Sequence, residues 1–290
     1  MSSKILYPPA KVNLRLEVLA RQEDGYHQLR MIVLPITLFD ELELEFTGRE
    51  IELKTSGWEI SGSNLVERVV RYFQEKFQLD FGIKIFLKKN IPPGSGLGGG
   101  SGDAGILLRA LCEHFQIPLS GLDLKEIAYQ LGADIPFFIF SQPAWVEGIG
   151  EKVEVIKGFP EVYFLLVKPE FSLSSREVYQ SYTLASDLTL EPKEVILTRL
   201  FEKNWEQILK NDLEKVAFAR HPELERLKSA LKSLGAEGVV MSGSGPTLVG
   251  VFSEPARARK AEERIQETFP GLFQAVAGVY SSGQKTQGGF

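Results

Sequence analysis

Residues 91–104 read Ile-Pro-Pro-Gly-Ser-Gly-Leu-Gly-Gly-Gly-Ser-Gly-Asp-Ala, and six of them are glycine. Directly behind them Ile106, Leu107, Ala110, Leu111 and Phe115 recur at helical spacing, which requires an ordered, buried helix and rules out a flexible glycine linker. A glycine turn that feeds a helix start is a backbone suited to phosphate. Without a Cβ, successive amides turn inward at positive φ and approach an anion closely. The helix start adds unpaired N–H groups and a partial positive charge.

Two well-known phosphate loops do not fit. The run lacks the Lys-[Ser/Thr] that ends a Walker A loop. Gly94-x-Gly96-x-x-Gly99 satisfies the dinucleotide pattern, but in that fold the glycines come directly off a strand. Here Pro92 and Pro93 separate them from the strand-like Ile83–Leu87, and prolines disfavour so tight a strand-to-helix turn.

A chain of 290 residues suits two modest domains or one large one, and 43% hydrophobic residues is ample for a full core. Its one cysteine, Cys112, falls in the apolar helix pattern and reads as a core thiol; a single cysteine suits a reducing cytoplasm. No apolar run reaches the ~20 residues that cross a bilayer, and the N-terminus has no apolar leader core, so a soluble, unexported, cytoplasmic protein is expected. With a net charge of −5 and no dense basic stripe, the chain lacks a nucleic-acid footprint. A small anionic ligand must therefore be held by local donors. His27, His114 and His221 lie far apart with no companion cysteine or carboxylate pattern, which argues against zinc; metal ligands and oligomeric state are not legible.

Lys11 to Leu19 alternates as a strand with Val12, Leu14, Leu16 and Val18 on one face, and Asp40 to Phe46 alternates Leu42, Leu44 and Phe46 against acids. Asn64 to Phe77 reads as a helix capped by Ser63 or Asn64, the glycine-loop helix as Gly102 to Phe115, and Leu124 to Leu131 as another. Turn residues at Lys157-Gly158-Phe159-Pro160 mark a boundary between domains 1–157 and 158–290. Beyond it strands are expected at Val162–Val167, Gly238–Met241, Thr247–Phe252 and Gln274–Tyr280. Helices are expected near 176–182, 192–201, 205–209, 222–234 and 254–269, with a frayed tail from Ser281. The alternation suggests an α+β fold with helices layered on antiparallel sheet.

Pro92-x-Gly94-x-Gly96-Leu97-Gly98-Gly99-Gly100-Ser101 resembles the ATP loop of the GHMP kinases, and Met241-Ser242-Gly243-Ser244-Gly245-Pro246-Thr247 resembles their third motif. Pro9-Ala10-Lys11-Val12-Asn13-Leu14, Asp24-Gly25-Tyr26-His27 and Gly132-Ala133-Asp134-Ile135-Pro136-Phe137-Phe138 are similar to the branch that acts on a cytidine-diphosphate-linked polyol, 4-diphosphocytidyl-2-C-methyl-D-erythritol. The resemblance runs from about residue 5 to about 280. It implies two domains, an N-terminal one like ribosomal S5 domain 2 and a ferredoxin-like C-terminal α/β sandwich. It also implies ATP-dependent phosphorylation of the 2-hydroxyl of that polyol, on the non-mevalonate route to isoprenoid precursors, with ATP brought in with Mg2+.

By the same resemblance Pro92, Pro93, Gly94, Ser95, Gly96, Leu97, Gly98, Gly99, Gly100, Ser101, Gly102 and Asp103 would hold ATP, and the stretch Asn64-Leu65-Val66 would grip adenine. Ser101 could bond a phosphate or a magnesium-bound water; Asp103 could equally be a backbone cap. Read from its neighbours alone, Asp134 is a helix cap, half of a buried pair, or a functional carboxylate. The resemblance makes it the catalytic base with Lys11 beside it. His27 would bond the cytosine edge, Tyr26 would stack on the base opposite Tyr179, and Asn13 would bond the polyol or its diphosphate. Tyr26 and His27 would be lifted out of the strand pair by the Asp24-Gly25 turn. Ser95, Ala20 and Gln142-Pro143 depart from the pattern, where small or glycine residues are usual.

Overall fold

The computed structural model describes residues 3–59, 64–184 and 189–281. The first half contains strands β1 (Lys4–Leu6), β2 (Pro9–Arg21), β3 (His27–Phe39), β4 (Glu41–Thr47) and β5 (Ile51–Gly57), helix α1 (Leu65–Phe77), strand β6 (Gly82–Lys89), helices α2 (Gly99–His114), α3 (Leu124–Gln130) and α4 (Ile135–Phe140), then β7 (Ala144–Gly148) and β8 (Lys152–Val155). The second half follows with β9 (Tyr163–Lys168), α5 (Ser175–Gln180), α6 (Lys193–Phe201), α7 (Trp205–Ile208), β10 (Lys210–Asn211), α8 (Glu214–Arg220), α9 (Glu223–Ser233), β11 (Gly238–Met241), β12 (Leu248–Phe252), α10 (Pro255–Thr268) and β13 (Phe273–Gly278). Ser63 and residues 282–290 lie outside the described residues, so the expected alternative cap and frayed tail fall there.

The strands form three sheets, ordered β1-β4-β6-β5, β10-β2-β3-β7-β8 and β11-β12-β9-β13. Only the third is wholly antiparallel. In the first, β5 pairs parallel to β6, because α1 connects them as a crossover and brings the chain back in the same direction. In the second, β10 enters from the far half and pairs parallel to β2. The α+β expectation holds; the purely antiparallel one does not.

Helix α1 begins where its cap chemistry says it should: the Asn64 side chain accepts from the Val66 amide at 3.0 Å. Its Val69, Val70 and Phe73 stripe packs with Leu107, Leu108 and Leu111 of α2 on the inner face of the first sheet, where Leu42, Leu44, Ile83, Ile85 and Leu87 alternate inward. The β2–β3 hairpin is different. Its strands are packed on both sides, so β2 shows ten consecutive buried residues from Pro9 to Val18. A bulge at Leu14 corrects the single-face reading of this strand. Asn13 pairs with Val33 and Arg15 with Ile32, leaving Leu14 as the extra residue. Val12 and Leu14 therefore join one core with Ile32, Leu34 and Phe164, whereas Leu16 and Val18 join another with Met31 and Leu165. A further register shift lies between Val18 and Ala20, beside the alanine that stands where the expected pattern has glycine. With both faces buried, the polar residues of β2 (Lys11, Asn13, Arg15 and Glu17) are buried too and must find partners.

Arg15 and Glu17 do so with Arg30: Arg15 Nη2 donates to Glu17 Oε1 at 2.8 Å and Arg30 Nε to Glu17 Oε2 at 2.7 Å. Burial works to raise the Glu17 pKa, but the two guanidinium bonds outweigh it and pull the carboxyl down to about 2.

Candidate active site

A cleft of about 940 Å³ opens where the two halves meet, between the glycine loop, the start of β2, the β2–β3 hairpin and α5. Its floor is a junction of three backbone segments. The Lys11 amide donates to the Leu97 carbonyl at 2.8 Å, and the Thr247 amide to the Ser95 carbonyl at 3.3 Å. The Ser242 hydroxyl donates to the Gly96 carbonyl at 3.0 Å while accepting from the Asn13 amide at 3.2 Å. So the second glycine turn, which in the sequence is legible only as a motif, serves to hold the first. A Cβ at Gly96, where φ is +79°, would lie 2.2 Å from the Ser242 carbonyl oxygen; no side chain fits at that junction. Ser95 fits because it is inside this knot: it is buried, and its hydroxyl accepts from the Leu97 amide at 3.3 Å.

Helix α2 starts at Gly99, three residues earlier than expected, with Gly98 as a left-handed N-cap at φ +70°. Gly99, Gly100 and Ser101 thereby form the first turn, whose amides have no intrahelical carbonyl to donate to and which lines the cleft. All of Pro92–Ser101 except Leu97 line the cleft; Leu97 is buried in the core behind it.

On β2, Lys11 and Asn13 lie two apart, so their side chains share a face. The Lys11 ammonium donates to Asn13 Oδ1 and stands 3.8 Å from Asp134 Oδ2. Burial pushes the Lys11 pKa down from the ordinary lysine range, and the Asp134 charge opposes that. Asp134 sits at the N-terminus of α4, but its side chain caps no backbone amide and is 43% exposed toward the cleft. Of the readings open in the sequence, the cap is excluded, and the pair with Lys11 is buried on the lysine side only. What remains is a carboxylate facing the cleft beside a buried cation.

At the other end of the cleft, Tyr26 lies at the hairpin tip, 37% exposed, with its ring edge-on to Tyr129 at 5.0 Å. His27 is not lifted out of the sheet as expected. It pairs with Arg21 as the first residue of β3 and is buried, its ring 5.3 Å from that of Tyr179 on α5. Burial, and then nearby Arg21, lower the His27 pKa, so the imidazole is neutral at physiological pH, with one nitrogen to donate and one to accept. The Tyr179 hydroxyl is pushed well above the usual tyrosine range by burial and by Asp134 and stays protonated.

Three charged residues in this region, none of them legible as a group from sequence, form a buried cluster under α2. Lys89 donates to Asp103 Oδ2 at 2.6 Å and to Asp40, whose other oxygen accepts from the Asn90 and Ile91 amides at 2.6 and 2.9 Å. Asp103 therefore is not a backbone cap. Its second oxygen has no partner among the described residues. Burial drives the Asp103 pKa well above the ordinary aspartate range, Lys89 opposes this, and nearby Asp40 adds to it. Asp103→Asn keeps the shape and removes a buried charge, so it is expected to raise Tm. Because a raised folded-state pKa costs stability only once the unfolded group ionises, the gain should vanish below about pH 4 and grow as pH rises. Asp40→Asn, by contrast, breaks the pair that orders the entry to the loop and should cost about 3 kcal/mol. Thermal melts across pH test both; equal effects would mean that the cluster does not distinguish its two acids.

Among the described residues, no helix is long and apolar enough to cross a membrane, and no group of three or more His, Cys, Asp or Glu could hold a metal ion.

Residues 64–142 match the GHMP kinases N terminal domain and residues 196–271 the GHMP kinases C terminal domain. The chain is 40% identical over 257 residues to the 4-diphosphocytidyl-2-C-methyl-D-erythritol kinase of Syntrophus aciditrophicus, a match that covers 88% of this chain and 91% of that one. It is 38% identical over 263 residues to the protein of the same name from Syntrophotalea carbinolica, covering 89% and 92%. A crystal structure of 4-(cytidine 5'-diphospho)-2C-methyl-D-erythritol kinase superposes with a TM-score of 0.79 at 33% identity, covering 95% of this chain and 99% of that one. The α+β, two-part architecture expected from the sequence is that of these proteins.

Proposed function

Because this chain belongs to the 4-diphosphocytidyl-2-C-methyl-D-erythritol kinases within the GHMP kinases, we propose that it transfers the γ-phosphate of ATP to the 2-hydroxyl of that cytidine-diphosphate polyol. The observation that carries this reading is the single cleft with a phosphate-type glycine loop at one end and the Tyr26, His27, Tyr179 group at the other, with Lys11 and Asp134 in between. Phosphoryl transfer asks for alignment and charge stabilisation more than covalent chemistry. The first-turn amides of α2 would cradle the ATP phosphates. As the acceptor oxygen forms its bond to the γ-phosphorus and the bond to the ADP oxygen breaks, Asp134 takes the hydroxyl proton. Lys11, held in place by Asn13, offsets the negative charge at that oxygen. Asn13 also offers its remaining amide hydrogen to the polyol end of the acceptor.

The donor set suits magnesium brought in by the nucleotide, since Asp103 is committed to Lys89 and only Ser101 offers a hydroxyl at the helix start. When bound, the ion would neutralise phosphate charge. Asn64 and Leu65 line the cleft and would face the adenine. We place the reaction in the cytoplasm, which the lone buried Cys112 suits, and the domain boundary at 157/158, between β8 and β9, which lie in different sheets.

The reading is tested by ADP release with a panel of acceptors. Turnover should require the cytidine-diphosphate polyol and stay at background with homoserine, mevalonate or galactose; equal activity on any of the three would overturn it. Within the acceptor site, Tyr26→Ala and Tyr179→Ala should each weaken acceptor binding by about 1–3 kcal/mol, the scale of base–aromatic stacking, while ADP affinity is unchanged. A parallel loss of ADP binding would mean that these rings serve packing instead. The lowered Lys11 pKa gives a further expectation. If the charged ammonium is required, kcat/KM should fall on the alkaline side at a pH below the ordinary lysine value, and Lys11→Arg should abolish that fall in whatever activity it retains.

A further inference from the structure

The charges of the cleft do not balance its proposed ligands. Its lining contributes three cationic side chains, Lys11, Lys89 and Arg176, and three carboxylates, Asp24, Asp103 and Asp134. Both lysines are buried and already engaged, Lys11 with Asn13 and Asp134, Lys89 with Asp40 and Asp103. Arg176 is exposed, and among the described residues its guanidinium makes no hydrogen bond or ion pair. It is the one uncommitted cation of the cleft among them. Its position is specific. On α5 it stands one turn before Tyr179, on the same face of the helix, and directly after Ser175, whose hydroxyl is 2.6 Å from that of Ser244 in the second glycine turn. It thus lies between the ring assigned to the base and the junction that holds the glycine loop.

From this placement we infer that Arg176 binds the diphosphate of the acceptor and makes the site prefer a nucleoside diphosphate ester to a plain nucleoside. This rests on the acceptor reading above. In a cytidine diphosphate ester the phosphates begin one ribose away from the base, and Arg176 lies one helical turn from Tyr179 and next to Ser175, which contacts Ser244. A guanidinium fork matches two phosphate oxygens at once, and a long exposed side chain can close on them without disturbing the fold. The ATP phosphates have the α2 amides; the acceptor diphosphate has no other uncommitted cation among the described lining residues.

The test uses the full-length protein and titration calorimetry with three probes, cytidine, CDP and ADP, at two salt concentrations. Wild type should bind CDP more tightly than cytidine, with the difference shrinking at high salt. Arg176→Met should lose about 10–100-fold in CDP affinity, the scale of a charge-assisted bond, with cytidine and ADP affinities unchanged. Arg176→Lys should recover part of the loss, since it restores the charge but not the fork. In turnover, Arg176→Met should raise KM for the acceptor with kcat nearly retained. A variant that binds CDP as wild type does, or that loses ADP affinity instead, would overturn this assignment while leaving the acceptor reading intact. Wild-type protein that binds neither cytidine nor CDP would overturn both.

Discussion

Asp134→Asn is expected to lower kcat by about 10²–10⁴-fold while changing KM for either substrate little, since a general base acts when the hydroxyl attacks and not when it binds. The structure makes this a clean experiment. Asp134 caps no amide and is 43% exposed, so replacing its carboxylate by an amide of the same size should leave the fold intact, with only a small fall in Tm from the partner lost to buried Lys11. One secondary effect has a definite sign. Asp134 holds the Lys11 pKa up against burial, so in the variant burial acts alone and the ammonium should give up its proton at a lower pH than in wild type. Residual activity should then fall off earlier on the alkaline side. Lys11→Met should also cut kcat, and the double variant should fall well short of the product of the two losses, because the residues are proposed to act as a unit. A kcat within a few fold of wild type, or a loss that tracks unfolding in circular dichroism, would sink the general-base assignment.

Gly98→Val is expected to weaken ADP and ATP binding by on the order of 10²-fold in a chain that still folds. From the sequence alone, a β-branched side chain in this loop would resist positive φ and block close approach of the phosphate. The structure adds a further cause. Gly98 has φ +70°, where a β-branched residue is strained, and an added Cβ would lie 2.9 Å from the Phe138 ring and 3.0 Å from Cγ of Lys11. The substitution would therefore tilt the start of α2 and push Lys11, so kcat should fall together with nucleotide affinity if the role proposed for that lysine holds. Gly100 supplies the comparison: a Cβ there meets only Leu65 Cδ1, at 3.8 Å, and Gly100→Ala should leave Tm unchanged. Normal nucleotide affinity in folded Gly98→Val would mean that the phosphates bind elsewhere.

What the sequence revealed and what it hid follow a physical line. The glycine loop, the Asn64 cap, the α1 stripe and the alternation of β4 are local, each set by neighbours within a turn or a strand, and each was found. The β3 strand was missed because its run from Met31 to Ile36 is apolar without alternation, as expected of a strand buried on both faces. The Leu14 bulge was missed for the opposite reason: the apolar residues of β2 alternate so regularly that a single face looked sufficient. Helix α8 carries few buried residues and left no clear stripe. At the site, Lys11 and Asp134 were brought together by resemblance, which spacing could not do. The Asp40, Lys89, Asp103 cluster had no such help: Asp103 reads as part of the ATP loop or as a backbone cap, and Asp40 and Lys89 read alone as ordinary surface charges. The hydroxyl of Ser242 likewise gave no sign that it would tie β2 to the glycine loop; the clue would have been its place in a second glycine turn.

The junction beneath the cleft joins residues that lie far apart in the chain: the Asn13 amide meets a hydroxyl 229 positions later, and that hydroxyl meets a carbonyl 146 positions back. A chain emerging from the ribosome thus completes β2, the glycine loop and α2 long before Ser242 exists to lock them. β2 likewise waits for its parallel partner β10 at residues 210–211 and for the second-half apolar residues that cover both its faces. Contacts of such long range form late and slowly. The nascent protein should consequently acquire its nucleotide affinity in one step near the end of synthesis, and a chain released before residue 242 should reach the cell without a working phosphate loop, unable to hold or squander ATP.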